Sequence, residues 1–217
     1  MFESAPIIVH FDPRFKILCI MITKPIIHYS IGIDPSINST GICVSDGKTN
    51  IYYIITSKIT KKSVEYCKDK PYIHVIEYDK RDTKGINIYW QKEKIKDSNI
   101  EKVIEEIRKI ISHYGEAGVI DRIVMEGVSY GSVKGAALVD LSFLNARIRS
   151  FLSGFNYYIV APTEVKKYSV GNGAADKSVM ILSWKKLDKN MSSLPEWFKC
   201  DDIADAYFMC HYNPLDF

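Results

Sequence analysis

Four acidic residues lie at positions where a carboxylate could bind a metal ion or take part in catalysis. Asp34 ends the apolar run YSIGI immediately before a turn, and Glu126 ends a second apolar run, RIVM. Asp202 and Asp205 lie three residues apart in DDIADA, so both fall on one face of a predicted helix. Carboxylate oxygens on rigid elements suit Mg²⁺ or Mn²⁺, and several of them can hold two ions for in-line phosphoryl displacement. The pattern therefore favours a site in which one ion generates hydroxide and the other stabilises a leaving 3′ oxygen.

Each acid also has a structural explanation when it is taken alone. An acid at the end of a strand often caps a backbone N–H group, and Asp34 by itself fits that role as well as a metal site. Two acids at one helix turn repel each other, and the positive end of the helix offsets that repulsion only in part. Asp201 is interpreted as the cap of this helix, with an outer-sphere metal partner as the alternative.

Basic residues and glycines cluster ahead of the last helix. Lys166 and Lys167 fall on a short predicted helix that Thr163 can cap, and Lys177 opens the next helix after the loop SVGNGAAD. Glycine lets a backbone approach a phosphate closely, so the flanking lysines are candidate phosphate contacts. The lysines at 185, 186 and 189 are explained equally well by a solvated helix face.

The elements that must position these groups alternate between strands and helices, which indicates an α/β fold. The turn after Asp34 makes residues 29–44 a predicted β-hairpin, with Ser39 and Gly41 among its turn residues. A capping box at Ser98 and Glu101 opens an apolar helix closed by Gly115. Further strands are predicted at 51–55, 72–78, 122–128 and 156–161, and further helices at 135–151, at 177–187 and from Asp201 or Asp202 onwards.

The predicted helix at 135–151 carries an apolar seam with alternating four- and three-residue steps. We favour ordinary packing on the sheet as its explanation; the alternative is a self-pairing face, which would imply a dimer. The seam consists of Ala137, Leu141, Leu144, Ile148 and Phe151.

Composition sets the broad class of the protein. With 217 residues and a net charge of +3, the chain suits one globular domain and permits a polyanionic partner. Residues 1–28 are predicted to be an N-terminal extension and 29–217 the domain, with 58–97 as a charged insertion around one strand. Five scattered cysteines without a C-x-x-C pair favour a reducing, intracellular compartment over disulfides or zinc. No stretch has the length and flanks of a signal peptide or a membrane span.

Four segments together resemble the RuvC-like Holliday junction resolvases, a branch of the RNase H-like superfamily. IGIDPSINSTGI is similar to the first-strand motif of the family and RIVMEGV to its second acid motif. VKKYSVGNGAADKS is similar to its lysine and glycine loop, and DDIADA to its C-terminal D-x-x-D helix. The four occur in the order and spacing of the family over residues 29–212, apart from most of the insertion. The insertion and the N-terminal extension are more similar to viral or phage members, for which the host cytoplasm or nucleoid would be the compartment.

The resemblance implies an RNase H-like mixed β-sheet flanked by helices, and it assigns roles to individual residues. It implies two Mg²⁺ ions per site, with Mn²⁺ as a substitute, and no organic cofactor. The implied metal ligands and catalytic residues are Asp34, Glu126, Asp202 and Asp205, with Lys177 as a further catalytic residue. The implied DNA contacts are Lys166, Lys167, Lys177, Lys134 and Tyr130, the last of which stands one position beyond the aromatic that bacterial members use near the junction centre.

The implied function is a homodimeric endonuclease that resolves four-way DNA junctions by paired nicks, leaving 5′-phosphate and 3′-hydroxyl ends. Three alternatives remain from the sequence. The first is a nuclease for other branched DNA or forks, or another RNase H-like nuclease. The second is an actin-like or sugar-kinase-like ATPase, because D-x-x-x-x-x-T-G hairpins also hold phosphates in that related fold. The third is a DNA-binding scaffold without catalysis.

Overall fold

The computed structural model describes residues 25–128 and 135–214 of the chain. No helix in those two ranges is both long enough and apolar enough to cross a membrane. The strands are β1 (His28–Asp34), β2 (Ser39–Ser45), β3 (Asn50–Thr56), β4 (Ile73–Glu77), β5 (Val119–Glu126) and β6 (Tyr157–Val160). The helices are α1 (Lys61–Cys67), α2 (Tyr89–Ala117), α3 (Ala136–Leu152), α4 (Pro162–Val170), α5 (Lys177–Leu187) and α6 (Asp201–His211), with a 3₁₀ turn at Lys189–Met191.

The six strands form one mixed sheet in the order β4-β3-β2-β1-β5-β6. The strands β1, β2 and β3 pair antiparallel as a meander. The pairs β1 with β5, β5 with β6 and β3 with β4 are parallel. Parallel pairs need crossover connections, which the helices supply. The predicted α/β fold with a mixed sheet flanked by helices is therefore confirmed.

The two faces of the sheet can be read from the alternation along β1. Ile31 and Ile33 are fully buried in an aliphatic core against α2 and α3. Successive side chains of a strand point to opposite faces, so Gly32 and Asp34 face α6 instead. We call the first side the α2 face and the second the α6 face.

Helix α6 lies directly on the backbone of β1 and β2, because glycines leave room for it. A methyl group on Gly32 would overlap the carbonyl oxygen of Ala206 and the backbone nitrogen of Cys210. A methyl group on Gly41 would overlap the carbonyl of Asp202. The absence of a Cβ at these two positions sets the distance between the sheet and the helix that carries the acid pair.

Helix α2 is longer than its sequence pattern predicted. It begins at Tyr89, so Ser98 and Glu101 lie inside it and the expected capping box is not its start. It also passes through Gly115 and ends at Ala117. The stretch before Ser98 contains no proline or glycine, and Lys96 pairs there with Glu93 at 3.1 Å. Its charges, which were assigned to a solvated insertion, are compatible with a solvated helix.

The charged segment 58–97 contributes to the sheet as well as to the surface. Its predicted strand is confirmed as β4, which pairs parallel with β3 at the edge of the sheet. Helix α1 was not predicted; the Thr60 hydroxyl caps it by accepting the backbone N–H of Ser63 at 3.1 Å. The extension and domain boundaries stay predictions, since most of residues 1–28 lie outside the described ranges.

Four of the five seam residues of α3 pack within the chain, whereas Ala137 is exposed. Leu144 and Ile148 are fully buried in the α2-face core, and Leu141 and Phe151 pack against it. Ordinary packing therefore explains these positions, and they are not free for a second chain. Exposed apolar surface on α3 lies elsewhere, at Val139 and Phe143.

Helix α4 begins two residues earlier than predicted. Pro162 is its first residue, because the fixed φ of proline suits the first helical position. Thr163 therefore lies inside the helix and does not cap it. The carboxylate of Glu164 instead accepts the backbone N–H of Ala161 at 2.8 Å.

Candidate active site

Strands β1 and β5 deliver one acid each to the same end of the sheet. The two strands are parallel neighbours, and Ile33 pairs with Met125 in the register just before the acids. Asp34 and Glu126 are the last residues of their strands. Both project to the α6 face, since the preceding Ile33 and Met125 are buried on the α2 face. Asp34 is 8% exposed.

Helix α6 brings the second pair of acids to this end. Asp202 and Asp205 lie in its first two turns, on the side next to the strand ends. The helix is anchored by Ile203, Ala204 and Ala206, which are fully buried. The contact between the Asp202 backbone and Gly41 fixes this turn of the helix against β2.

The two strand acids share a hydrogen bond. Burial raises the pKa of Asp34 well above its ordinary value, and the charges of Glu126, Asp205 and Asp202 raise it further. Burial also raises the pKa of Glu126, although its hydrogen bond with Asp34 and the nearby lysines oppose that rise. Both strand acids therefore hold their protons more strongly than ordinary carboxylates.

The two helix acids also hold their protons more strongly than ordinary carboxylates. Burial raises the pKa of Asp205 to about 7, helped by the charge of Glu126. Burial raises the pKa of Asp202 to about 6, against a hydrogen bond from the Ser39 side chain that favours its ionised form. Four acids on three elements therefore carry more negative charge than their surroundings balance.

The donor set fits a hard divalent cation by type and charge. Carboxylate oxygens are the preferred ligands of Mg²⁺ and Mn²⁺, and a cation would relieve the repulsion among the four acids. Within residues 25–128 and 135–214, no group of three or more His, Cys, Asp or Glu side chains is already arranged around one metal position.

Lys177 is the basic residue most closely tied to the acids. Its ammonium group donates to Asp201 at 2.9 Å. Burial alone would lower the pKa of Lys177, but the hydrogen bond and charge of Asp201 raise it, together with the charges of Asp205 and Asp34. Lys177 is therefore a fixed positive charge at the edge of the acidic cluster.

The other predicted DNA contacts differ in their burial and in their position in the fold. Lys166 is half-buried on α4, and its charge acts on Glu126. Lys167 is exposed in the last turn of the same helix. Tyr130 and Lys134 lie outside the residues that the structure describes.

Asp201 has a different role from the one predicted. It is the first residue of α6, and Cys200 occupies the capping position without a side-chain hydrogen bond to the helix. The carboxylate of Asp201 instead accepts the hydrogen bond from Lys177, which lowers its pKa against the effect of burial. The cap interpretation was wrong because the lysine is brought in from a distant element.

Three contributors to the site were missed by sequence reasoning. Gly32 was treated as part of an apolar strand, although an isolated glycine inside a strand pattern often marks a close backbone approach. Gly41 was assigned only to the turn. Ser39 was also treated as turn chemistry, and no local signal in the sequence predicts its bond to Asp202.

Comparison with known proteins finds RuvC by sequence and by fold. No protein-family model matches the chain. A segment of 117 residues is 27% identical to the crossover junction endodeoxyribonuclease RuvC of Wolbachia pipientis wMel, covering 50% of this chain and 64% of that relative. Two structures of Thermus thermophilus RuvC align with 84% of this chain and 90% of theirs. The one in complex with a Holliday junction substrate has a TM-score of 0.50 at 15% identity; the other has 0.49 at 14%.

The resemblance to RuvC-like resolvases that the four motifs carry is thus confirmed, and the chain has the RNase H-like fold of RuvC. The matched segment spans less than two thirds of the length of the Wolbachia relative. None of these relatives tests the viral or phage source, which stays a prediction.

Proposed function

We propose that this protein is a divalent-metal-dependent endonuclease that resolves four-way DNA junctions by paired nicks. The observation that carries the proposal is the meeting of Asp34 and Glu126, from two parallel strands, with Asp202 and Asp205 of α6. The similarity to RuvC supports the same function, since one of the similar structures holds a Holliday junction substrate.

The four acids would hold the metal, with Mg²⁺ as the physiological ion and Mn²⁺ as a substitute. Two divalent cations bound there would activate a water molecule for attack on phosphorus and stabilise the leaving 3′ oxygen, giving 5′-phosphate and 3′-hydroxyl ends. Asp34 must give up its proton for this, so metal binding and proton release are linked. That linkage makes metal affinity rise with pH.

The chain's own positive charges would hold the DNA backbone over the acids. Lys177 is kept in place by Asp201 and is positioned to bind a phosphate at the edge of the cluster. Lys166 and Lys167 on α4 extend this basic surface, and Tyr130 and Lys134 belong to the same proposal. Phosphate contacts carry little sequence information, so recognition would depend on the shape of the junction and on salt.

A homodimer with two active sites would place one nick on each of two opposed strands. The exposed Val139 and Phe143 of α3 are apolar surface on which such a pairing could be built. Action on DNA would place the protein inside the cell, in agreement with the buried free thiols of Cys43, Cys67, Cys200 and Cys210.

The test is cleavage of a labelled four-way junction, compared with a fork and a matched duplex, in Mg²⁺ and in EDTA. We expect symmetric cuts in the junction that require the metal. In Glu126→Gln the rate should fall by at least about 100-fold, because a charged ligand becomes neutral. The matched control is Asp121→Asn on the same strand, an exposed acid at the far end of β5, which should cut like the wild type.

Each failure has a distinct meaning. Equal cutting of the fork or of the duplex would assign the protein to a broader branched-DNA or RNase H-like nuclease class. ATP hydrolysis without DNA cleavage would favour an ATPase instead. Junction binding without any cleavage would leave a DNA-binding scaffold. Wild-type cutting by Glu126→Gln would remove the metal-site argument.

A further inference from the structure

A cleft of about 590 Å³ lies beside the turn that follows Asp34. The cleft is lined by that turn, Ser36–Asn38, by the inserted segment, by Asn99 of α2 and by the start of α3. Four basic side chains from the inserted segment line the cleft: Lys58, Lys80, Arg81 and Lys96. Its volume is in the range of sites that bind molecules the size of a nucleotide.

The positive charges of the cleft are only partly balanced. Lys96 is neutralised by Asp140 and by Glu93, both at 3.1 Å. Lys58, Lys80 and Arg81 form no salt bridge with any residue in the described part of the chain, and all three are exposed. The remaining acid, Asp82, uses one carboxylate oxygen to accept the backbone N–H of Lys84 at 3.0 Å.

Lys58 and Lys80 are close enough to repel each other. Partial burial lowers the pKa of Lys80, and the charge of Lys58 lowers it further. The charges of Asp140 and Asp82 act in the opposite direction and offset part of this repulsion. An anion bound in the cleft would relieve the rest.

The backbone under these charges is fixed by buried polar groups. The side chain of Asn99, only 3% exposed, accepts the backbone N–H of Arg81 at 3.0 Å and donates to its carbonyl at 2.9 Å. The Lys80 ammonium donates to the Asn38 side chain at 2.5 Å, and the Tyr78 hydroxyl donates to the carbonyl of Ile37. The cleft is thus joined to the same turn that presents Asp34.

We propose that this basic cleft, which includes the turn after Asp34, binds the phosphodiester backbone of one arm of the DNA substrate. A continuous backbone fits better than a single small anion, because the unpaired cations come from separate parts of the inserted segment and the cleft includes the turn that follows Asp34. The inserted segment would thereby extend the DNA surface away from Lys166 and Lys177. This inference rests on the proposed function, since it names a further contact for the same substrate.

The test measures binding of the full chain to a labelled four-way junction in EDTA, as a function of salt. The variant is Lys58→Gln with Arg81→Gln; Lys80 is left intact because it holds Asn38. At 150 mM salt we expect affinity to fall roughly 10-fold, and the slope of log affinity against log salt to become shallower by about 1 to 2, because two phosphate contacts are lost.

The matched control is Lys48→Gln with Lys189→Gln, which removes two exposed positive charges at the opposite end of the sheet. Control affinity should stay within about twofold of the wild type. Equal losses in both double variants, or a loss without a change in salt slope, would overturn the cleft proposal. So would an unchanged affinity of the cleft variant while the wild type still cuts the junction. A wild type that neither binds nor cuts the junction would instead overturn the proposed function.

Discussion

The two faces of the sheet are built from different residues, although the same strands supply both. The α2 face is filled by aliphatic side chains, most of them isoleucines of β1, β2 and α2. The α6 face holds glycines, buried cysteines, aromatic residues and all four candidate catalytic acids. The difference indicates that one face provides most of the simple apolar packing, whereas the other positions chemical groups.

Polar groups on the α6 face are held by explicit hydrogen bonds. Asp188, after α5, is 6% exposed and accepts the Tyr52 hydroxyl at 2.6 Å and the Asn50 side chain at 2.9 Å. The indole of Trp184 donates to the same hydroxyl at 3.0 Å. This network ties α5, which begins at Lys177, to the strand β3. The same face thus positions both the acids and the basic residue beside them.

The largest expected difference between the two faces comes from adding one methyl group to each of them. Gly32→Ala places a Cβ against the backbone of α6, so the helix must move away from the sheet. We expect a loss of about 3 kcal/mol or more in the free energy of unfolding, because backbone cannot yield as a side chain can. Thermal and urea unfolding measure this loss, and junction cleavage should fall with it.

Gly115→Ala is the matched control in α2. The added Cβ would meet its nearest atom, the Cδ1 of Ile120, at an ordinary 3.8 Å. Alanine inside a helix should stabilise the protein by about 0.5–1 kcal/mol. If both variants changed stability in the same direction and by similar amounts, the direct contact between α6 and the strands would not be a special feature of this face.

The strands and the acid positions could be predicted because their signals are local. The run before Asp34 and the run before Glu126 each show a short apolar segment that ends in an acid, and both strands lie where that pattern indicates. DDIADA likewise predicted the start of α6. Turn residues or helical spacing within these segments indicate where each element begins or ends.

The rest depended on contacts between distant segments. Nothing near Asp201 indicates that Lys177 will reach it across 24 residues. The extra turns of α2 before Ser98 look like a loop because their polar side chains lack an apolar stripe. The cleft lined by Lys58 and Arg81 forms only when the inserted segment folds back on the Asp34 turn. Sequence spacing does not determine such tertiary contacts.

A second prediction concerns how far the ionised acids lower the stability of the metal-free protein. The pKa of Asp205 in the folded chain is about 7, above its ordinary value of about 3.9 in an unfolded chain. The fold therefore favours the protonated acid, and this contribution to stability is complete below pH 4 and is lost as the pH rises through 7. Asp205→Asn cannot ionise and should be more stable than the wild type in EDTA at pH 8.

The increase in Tm should be several degrees, since about 1 kcal/mol moves Tm by roughly 2–4 °C in a domain of this size. At pH 4 the difference should shrink, because the wild-type acid is then protonated. Mg²⁺ at pH 8 should raise the Tm of the wild type more than that of the variant. An Asp205→Asn protein that is less stable than the wild type at pH 8 in EDTA would show that the acid is balanced by neighbours.

The smallest expected effect on stability comes from a pair of substitutions that removes one methyl group from a buried isoleucine on each face. This pair compares the two faces most directly. Ile104 of α2 is 1% exposed and Ile203 of α6 is 0% exposed. Ile104→Val and Ile203→Val should each cost about 0.5–1.5 kcal/mol in unfolding free energy, so stability alone will not distinguish them.

The cleavage rate should distinguish the two variants. Ile203 follows Asp202 in the chain, so a small shift of α6 misplaces Asp202 and Asp205, whereas Ile104 supports no acid. We expect the cleavage rate per folded molecule to fall several-fold in Ile203→Val and to stay unchanged in Ile104→Val, in single-turnover assays well below either Tm. Equal cleavage rates in the two variants would mean that the acids tolerate movement of α6. The two faces would then differ in amino-acid composition but not in their importance for cleavage.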